Sequence, residues 1–191
     1  MPLTELDPIA ALIIIDLQKG IVAMPLLHPA AEIVGHTADL ARAFRQRGWP
    51  VALVNVTGMA PGRTDTPRPD ASAFPKNWAE LVPELDPQPQ DILISKQRVG
   101  AFHGTALDAE LRRRGVTQIF LAGVATTGGV ESTGRSASDL GYHVVFVSDA
   151  MTDRTEDAHR HSVEKFFPRI GQVETTANVL KLISQGKAAA Q

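Results

Sequence analysis

Short apolar runs alternate along this chain with longer stretches in which apolar residues recur every three or four positions. The runs are Ala11-Leu-Ile-Ile-Ile15, Val51-Ala-Leu-Val54, Ile92-Leu-Ile94, Ile119-Phe-Leu-Ala122 and Val144-Val-Phe-Val147. Each is too short for a helix and rich in β-branched residues. None alternates with polar positions, as expected of strands covered on both faces in a parallel sheet. A weaker sixth strand falls near Gln172-Val-Glu174. Between the runs the period is helical. Ile33, Thr37, Leu40, Ala41 and Phe44 share one face, with Gly48 as the C-terminal stop. Thr105 and Asp108 are spaced as a capping pair for a helix with Leu107 and Leu111 inward, stopped by Gly115. Val130, Gly134 and Ala137 share a face of the next helix, which Gly141 ends. Asp153 and Glu156 open another with His159, Val163 and Phe166 on one side, and Val179, Leu180 and Ile183 mark the last. This order predicts a doubly wound α/β domain.

Residues 57–90 break the pattern. They hold seven of the thirteen prolines and show little periodicity, with one helical turn expected around Trp78 to Leu81. Long irregular stretches inside compact domains are usually functional or disordered. Phe74 and Trp78 argue for packing over something, so the segment reads as a cover beside a site. The competing reading is a plain surface loop. Residues 186–191, ending in Lys187-Ala-Ala-Ala-Gln191, read as a frayed tail.

Composition narrows the class. The chain has 191 residues, a formal charge of −2 and no cysteine. That length suits one domain with one buried core, here spanning 1–191. The balanced charge leaves no electrostatic footprint for nucleic acid or an anionic membrane. The longest apolar run, from Ile9 to Ile15, is far short of a membrane span, and no secretory leader opens the sequence. The expectation is a soluble, cytoplasmic protein acting on a small molecule. Disulfides, thiolate metal sites and cysteine nucleophiles are excluded by composition alone.

In an open α/β sheet, ligands bind beyond the carboxyl ends of the strands. The first run ends in Asp16, an acid placed directly after aliphatic residues, where desolvation raises its pKa. The third ends in Ser95-Lys96, and a lysine there counters that rise. Opposed influences of this kind characterise acid–base sites. The competing readings are a turn or N-cap residue for Asp16 and a solvated strand end for Lys96. After the fourth run, Ala122-Gly-Val-Ala-Thr-Thr-Gly-Gly-Val-Glu131 passes from strand to helix through small residues, which leaves backbone N–H groups bare for an anion or oxyanion. Its glycines do not make a dinucleotide or phosphate-loop fingerprint.

Taken together, Ile13-Ile-Ile-Asp-Leu-Gln18, Lys96 followed by Gly100-Ala-Phe-His-Gly-Thr105, Ala122-Gly-Val-Ala-Thr126, Val130-Glu131, Asp139-Leu-Gly-Tyr142 and Asp149-Ala150 resemble the isochorismatase-like hydrolases, also called the cysteine hydrolase superfamily. The resemblance runs from about Ala11 to Ile183. It implies a three-layer α/β/α fold around a six-stranded parallel sheet, assembly as a homodimer or larger homo-oligomer, and a cis peptide at Val124-Ala125. Most members cleave amides with an Asp, a Lys and a Cys. Asp16 and Lys96 match the first two, and the cysteine position falls on Gly129.

The departures shape the expected chemistry. Without a thiol at position 129 the acyl-enzyme route is closed. The nearby hydroxyls, Thr127 and Ser132, have no paired base by sequence, and Thr127 reads as a helix cap. Nicotinamidases carry Asp-x-His and a further His after the second strand, whereas Asn55-Val-Thr-Gly-Met-Ala-Pro-Gly-Arg63 has no histidine, so neither a metal nor another cofactor is expected. Members with Gly in place of Cys include isochorismatases, which hydrolyse a vinyl ether and need an acid rather than a nucleophile. Those enzymes have an aromatic residue at Ala125 and His at Thr127, so the pocket floor differs here. The resulting expectation is a hydrolase of a small, anionic metabolite using Asp16 and Lys96 on a vinyl ether or related C–O or C–N bond. Val124, Ala125, Thr126 and Gly128 are candidate floor residues, and Asn55 is a substrate contact by position. Arg63 is a bidentate partner for a substrate carboxylate, while Phe102 and Trp78 are apolar walls. The competing readings are ordinary core packing for Phe102 and a solvent-facing loop residue for Arg63. The competing function is a binding or assembly protein that has lost its nucleophile.

Overall fold

The computed structural model describes residues 3, 5–66 and 73–188. The apolar runs form six strands: β1 (Ala10–Ile15), β2 (Val51–Val56), β3 (Ile92–Lys96), β4 (Gln118–Val124), β5 (His143–Thr152) and β6 (Gln172–Glu174). They pair in parallel in the order β3-β2-β1-β4-β5-β6. The helices are α1 (Lys19–Val22), α2 (Ala30–Gln46), α3 (Leu107–Arg113), α4 (Glu131–Asp139), α5 (Glu156–His161) and α6 (Thr176–Ala188).

Successive strand residues point to opposite faces, so β1 feeds two cores. Leu12 and Ile14 pack with Leu40 and Phe44 of α2, Phe120, Val145 and Val179 of α6. Ile13 and Ile15 pack on the other side with Leu111 of α3, Leu121, Ala137 of α4, Phe146 and Phe167. This is the expected three-layer α/β/α arrangement. The edge strand is an exception to the expectation of full cover. In β3 burial alternates, and Leu93 is 68% exposed. Strand β3 lies at the sheet margin, where α3 packs on it but α2 spreads over β1, β2, β4 and β5.

Helix stops follow the sequence reading, whereas the caps do not. Gly48, Gly115 and Gly141 follow α2, α3 and α4 with φ of +74°, +71° and +83°. Thr105 Oγ1 accepts from Leu107 N at 3.2 Å, but Asp108 does not reach back. It accepts instead from Tyr142 Oη at 2.6 Å and from Arg112. Helix α5 starts at Glu156 behind Thr155, because the Asp153 carboxylate is turned toward Thr127. His159, Val163 and Phe166 share a side without one environment. Val163 and Phe166 pack on the core, and His159 Nδ1 lies 2.8 Å from Thr126 Oγ1.

In the cover segment, residues 67–72 lie outside the described residues. The expected helical turn at Trp78–Leu81 is instead a turn at 76–79 leading to a single bridge between Leu81 and Gln18. Backbone bonds stitch this stretch to the loop after β1: Lys19 N to Glu80 O at 2.8 Å and Gly20 N to Trp78 O at 2.9 Å. Helix α6 continues through Ala188, so it includes residues 186–188 of the expected tail, while residues 189–191 lie outside the described residues.

Candidate active site

The order of strands reverses direction at β1, which places a crevice at the carboxyl ends of β1 and β4. Asp16 stands at that point with φ +53°, a left-handed conformation that Asp tolerates better than bulkier residues. Its N–H donates to Val54 O at 2.9 Å and its C=O accepts from Gln18 N at 2.9 Å, which pins the backbone that aims the side chain. Lys96, the last residue of β3, reaches it past β2. Lys96 Nζ donates to Asp16 Oδ2 at 2.7 Å and to Arg98 O at 3.2 Å. Asp16 is 6% exposed and Lys96 2%. Asp16 Oδ1 is buried with no hydrogen-bond partner among the described residues. Burial pushes the Asp16 carboxyl up to about 6, and the charge and hydrogen bond of Lys96 only partly oppose that rise.

Gly129 comes in from the β4 side. A Cβ there would lie 2.7 Å from Ile15 Cγ2, closer than real Cβ contacts come, and 3.3 Å from Asp16 Oδ2. The strand before it is equally tight, since a Cβ on Gly123 (φ +117°) would fall 2.0 Å from Ile15 O. The Val124–Ala125 peptide is cis, as the family resemblance implies. The turn Thr126–Val130 does not carry the expected row of bare donors. Gly128 N and Val130 N both donate to Ala125 O, at 3.0 and 3.2 Å, and Thr127 N donates to Asp153 Oδ2 at 2.7 Å. Thr127 Oγ1 also donates to Asp153 Oδ2 at 2.7 Å, so Thr127 does not cap the following helix, and its carboxylate partner comes from the end of β5.

Asp16, Lys96 and Gly129 line a cavity of about 230 Å³ together with Val56, Gly58, Met59, Ala60, Arg98 and Val99. The remaining sequence candidates lie elsewhere. Val124, Ala125, Thr126 and Gly128 shape the turn without lining this cavity. Asn55 is structural: its Nδ2 donates to Ala79 O at 2.8 Å and its Oδ1 accepts from Ser95 Oγ at 2.7 Å, which ties the cover segment to the sheet margin. Trp78 stacks on Phe74 at 4.2 Å and lies over Gly20 rather than forming a wall of the cavity. Phe102 packs against the core and stacks with Tyr142 at 5.9 Å, which is ordinary packing. Arg63 is exposed and outside the cavity. The sequence reading missed Val56 to Ala60 and Arg98 to Val99. Both stretches leave the carboxyl ends of strands, so the rule that singled out Asp16 could have found them.

A larger groove of about 530 Å³ runs between α2, β5 and α5 and is lined by His28, His159 and Asp149 among others, but none of Asp16, Lys96 and Gly129 borders it. Among the described residues no group of three or more His, Asp or Glu side chains could hold a metal ion.

The isochorismatase domain family matches residues 10–178, and the chain belongs to the isochorismatase family. It is 41% identical over 180 residues to the uncharacterized isochorismatase family protein YwoC of Bacillus subtilis, covering 91% of this chain and 93% of that protein. It is 35% identical over 156 residues to the ureidoacrylate amidohydrolase RutB of Variovorax paradoxus, covering 72% of this chain and 61% of that protein. Among solved structures, an isochorismatase family protein from Burkholderia thailandensis matches at TM-score 0.89 and 41% identity, over 94% of this chain and 97% of that one.

Proposed function

We propose that this isochorismatase-family hydrolase uses Asp16 as a proton donor, set by Lys96, on a small anionic metabolite containing a vinyl ether or a related acid-labile C–O or C–N bond. The observation that carries the reading is the Asp16 carboxyl, buried, with one oxygen on Lys96, the other unpartnered, and an affinity for protons raised to about 6. General acids work best when their pKa lies near the working pH. Two cationic residues, Lys96 and Arg98, line the cavity against one carboxylate, which suits a negatively charged guest.

For a vinyl ether the steps balance without a thiol. Asp16 gives its proton to the terminal CH₂, and the ether oxygen's electrons stabilise the resulting oxocarbenium ion. Water adds to the oxocarbenium carbon, the one that bears the ether oxygen, and releases a proton, which restores the Asp16 acid. The hemiketal then collapses to a ketone, pyruvate in the enolpyruvyl case, and an alcohol. Lys96 stabilises the Asp16 carboxylate left after the first transfer. A second reading, supported by the likeness to RutB, is amide hydrolysis in which ionised Asp16 activates water as a base.

The test is to incubate the protein with a bacterial metabolite extract, with isochorismate and with ureidoacrylate, comparing wild type and Asp16→Asn after circular dichroism shows the variant folded. The expected result is consumption of a vinyl ether by wild type and none by the variant. Turnover retained by Asp16→Asn overturns the proton-donor role. Consumption of ureidoacrylate instead favours the amide reading, and no consumption of anything by wild type favours a binding protein.

A further inference from the structure

Three charged residues, Asp16, Lys96 and Arg98, line the cavity, and their pairing is unequal. When Asp16 is ionised, it and Lys96 neutralise each other at 2.7 Å. Arg98 makes no ion pair among the described residues, and its Nη1 donates only to the neighbouring Gln97 carbonyl, at 2.8 Å. Arg42, Arg45, Arg112, Arg113, Arg114 and Arg135 hold carboxylates, but none of them lines this cavity. A guanidinium has five donors in a fork that matches a carboxylate. Arg98 therefore adds a positive charge without an ion-pair partner to the residues that line the cavity. Its backbone carbonyl is held by Lys96 Nζ at 3.2 Å, which ties this residue's position to the Asp16–Lys96 pair.

The rest of the lining is apolar or small. Val56, Met59, Ala60 and Val99 surround the space, and Met59 and Val99 are 41% and 61% exposed. At about 230 Å³ the cavity falls below the ~300 Å³ at which pockets for drug-sized ligands begin. One uncompensated cation, a small volume and apolar walls define the guest.

We propose that Arg98 is the anion receptor of this site, and that the substrate is a compact monocarboxylate with an apolar body and its reacting bond close to the carboxylate. This rests on the proposed hydrolase reading, because it takes the Asp16 cavity as the substrate's place. Arg98 thus takes the role that the sequence reading gave to Arg63.

The test is isothermal titration of the whole protein with benzoate, benzamide and phthalate as a monoanion, a neutral isostere and a dianion. Wild type is expected to bind benzoate at least tenfold more tightly than either other probe. Arg98→Gln should weaken benzoate at least tenfold and erase its advantage over benzamide, and Arg98→Lys should recover part of it. Benzoate affinity within twofold of wild type in Arg98→Gln, equal binding of benzoate and benzamide, or no binding of benzoate would each overturn the proposal. The two readings fail separately. Loss of benzoate in Arg98→Gln with turnover retained by Asp16→Asn leaves the anion site and removes the proton donor. The reverse pattern keeps the proton donor and removes the anion site.

Discussion

Lys96 Nζ lies 2.7 Å from Asp16 Oδ2 at a depth where both side chains are nearly sealed from water, yet Asp16 Oδ1 faces no partner among the described residues. Half of the carboxyl is served by an ammonium and half is left for a proton. Carbonyl-carbon NMR of labelled Asp should therefore find Asp16 titrating near 6, well above its ordinary 3.8. Lys96→Met, an apolar replacement that leaves no buried unpaired ammonium, should move that midpoint higher, since Lys96 is what holds it down. A wild-type midpoint near 4 would contradict the assignment.

The same shift has a consequence for stability. A carboxyl whose folded pKa exceeds its unfolded value binds its proton more tightly in the native state, so its contribution to stability weakens as pH rises from about 4 to about 6 and stays at its least favourable above that. Asp16→Asn should flatten this part of the pH–stability curve in urea denaturation. An unchanged slope between pH 4 and 6 would count against the raised pKa.

Gly129 is built in, not merely vacant. A Cβ there meets Ile15 Cγ2 at 2.7 Å. Overpacking of that kind costs about 1–3 kcal/mol, and the ~1 kcal/mol by which Ala exceeds Gly in helical backbone offsets only part of it. Gly129→Ala and Gly129→Cys should both lower Tm by a few degrees. Gly129→Cys alone should gain no activity on ureidoacrylate. Adding Ile15→Leu, which removes the β-branched methyl at near-constant volume, should restore part of the lost stability. A Gly129→Cys protein as stable as wild type and active as an amidase would show that the site still accommodates a thiol.

Asp153 should act as the clamp of the turn that carries Gly128 and Gly129. Its Oδ2 takes both Thr127 N and Thr127 Oγ1, and its Oδ1 takes Arg154 N, all at 2.7 Å. Asp153→Ala leaves these donors without their acceptor, so a loss of about 2–3 kcal/mol in urea denaturation is expected, together with faster amide exchange at Thr127. Asp153→Asn should lose less, because its carbonyl oxygen still accepts. A change within about 0.5 kcal/mol, ordinary for a surface substitution, would remove the clamp.

Much of the fold was legible because strand runs and helical periods are local signals. Leu12 and Ile13 read as buried from their neighbours in sequence, and the sheet then sorts them onto opposite faces. Asp16 and Lys96 were legible as strand ends, since that position alone determines which residues can converge. What escaped were choices among distant partners. Asp153 has a helix-starting spacing with Glu156, but a threonine 26 positions earlier competes for its carboxylate and wins. Asn55, near the end of β2, and Trp78, within the cover segment, instead take part in bonds that bind that segment back onto the sheet. Leu93 reads as core because nothing in its neighbours reveals that β3 is the sheet margin.

The pH dependence of kcat/KM, measured on whichever substrate the extract yields, reaches the centre of the matter most directly. Proton donation by Asp16 predicts a limb that descends tenfold per pH unit above about 6, absent in a folded Asp16→Asn protein because no turnover is left. A profile flat through pH 6, or one that rises there, would contradict it.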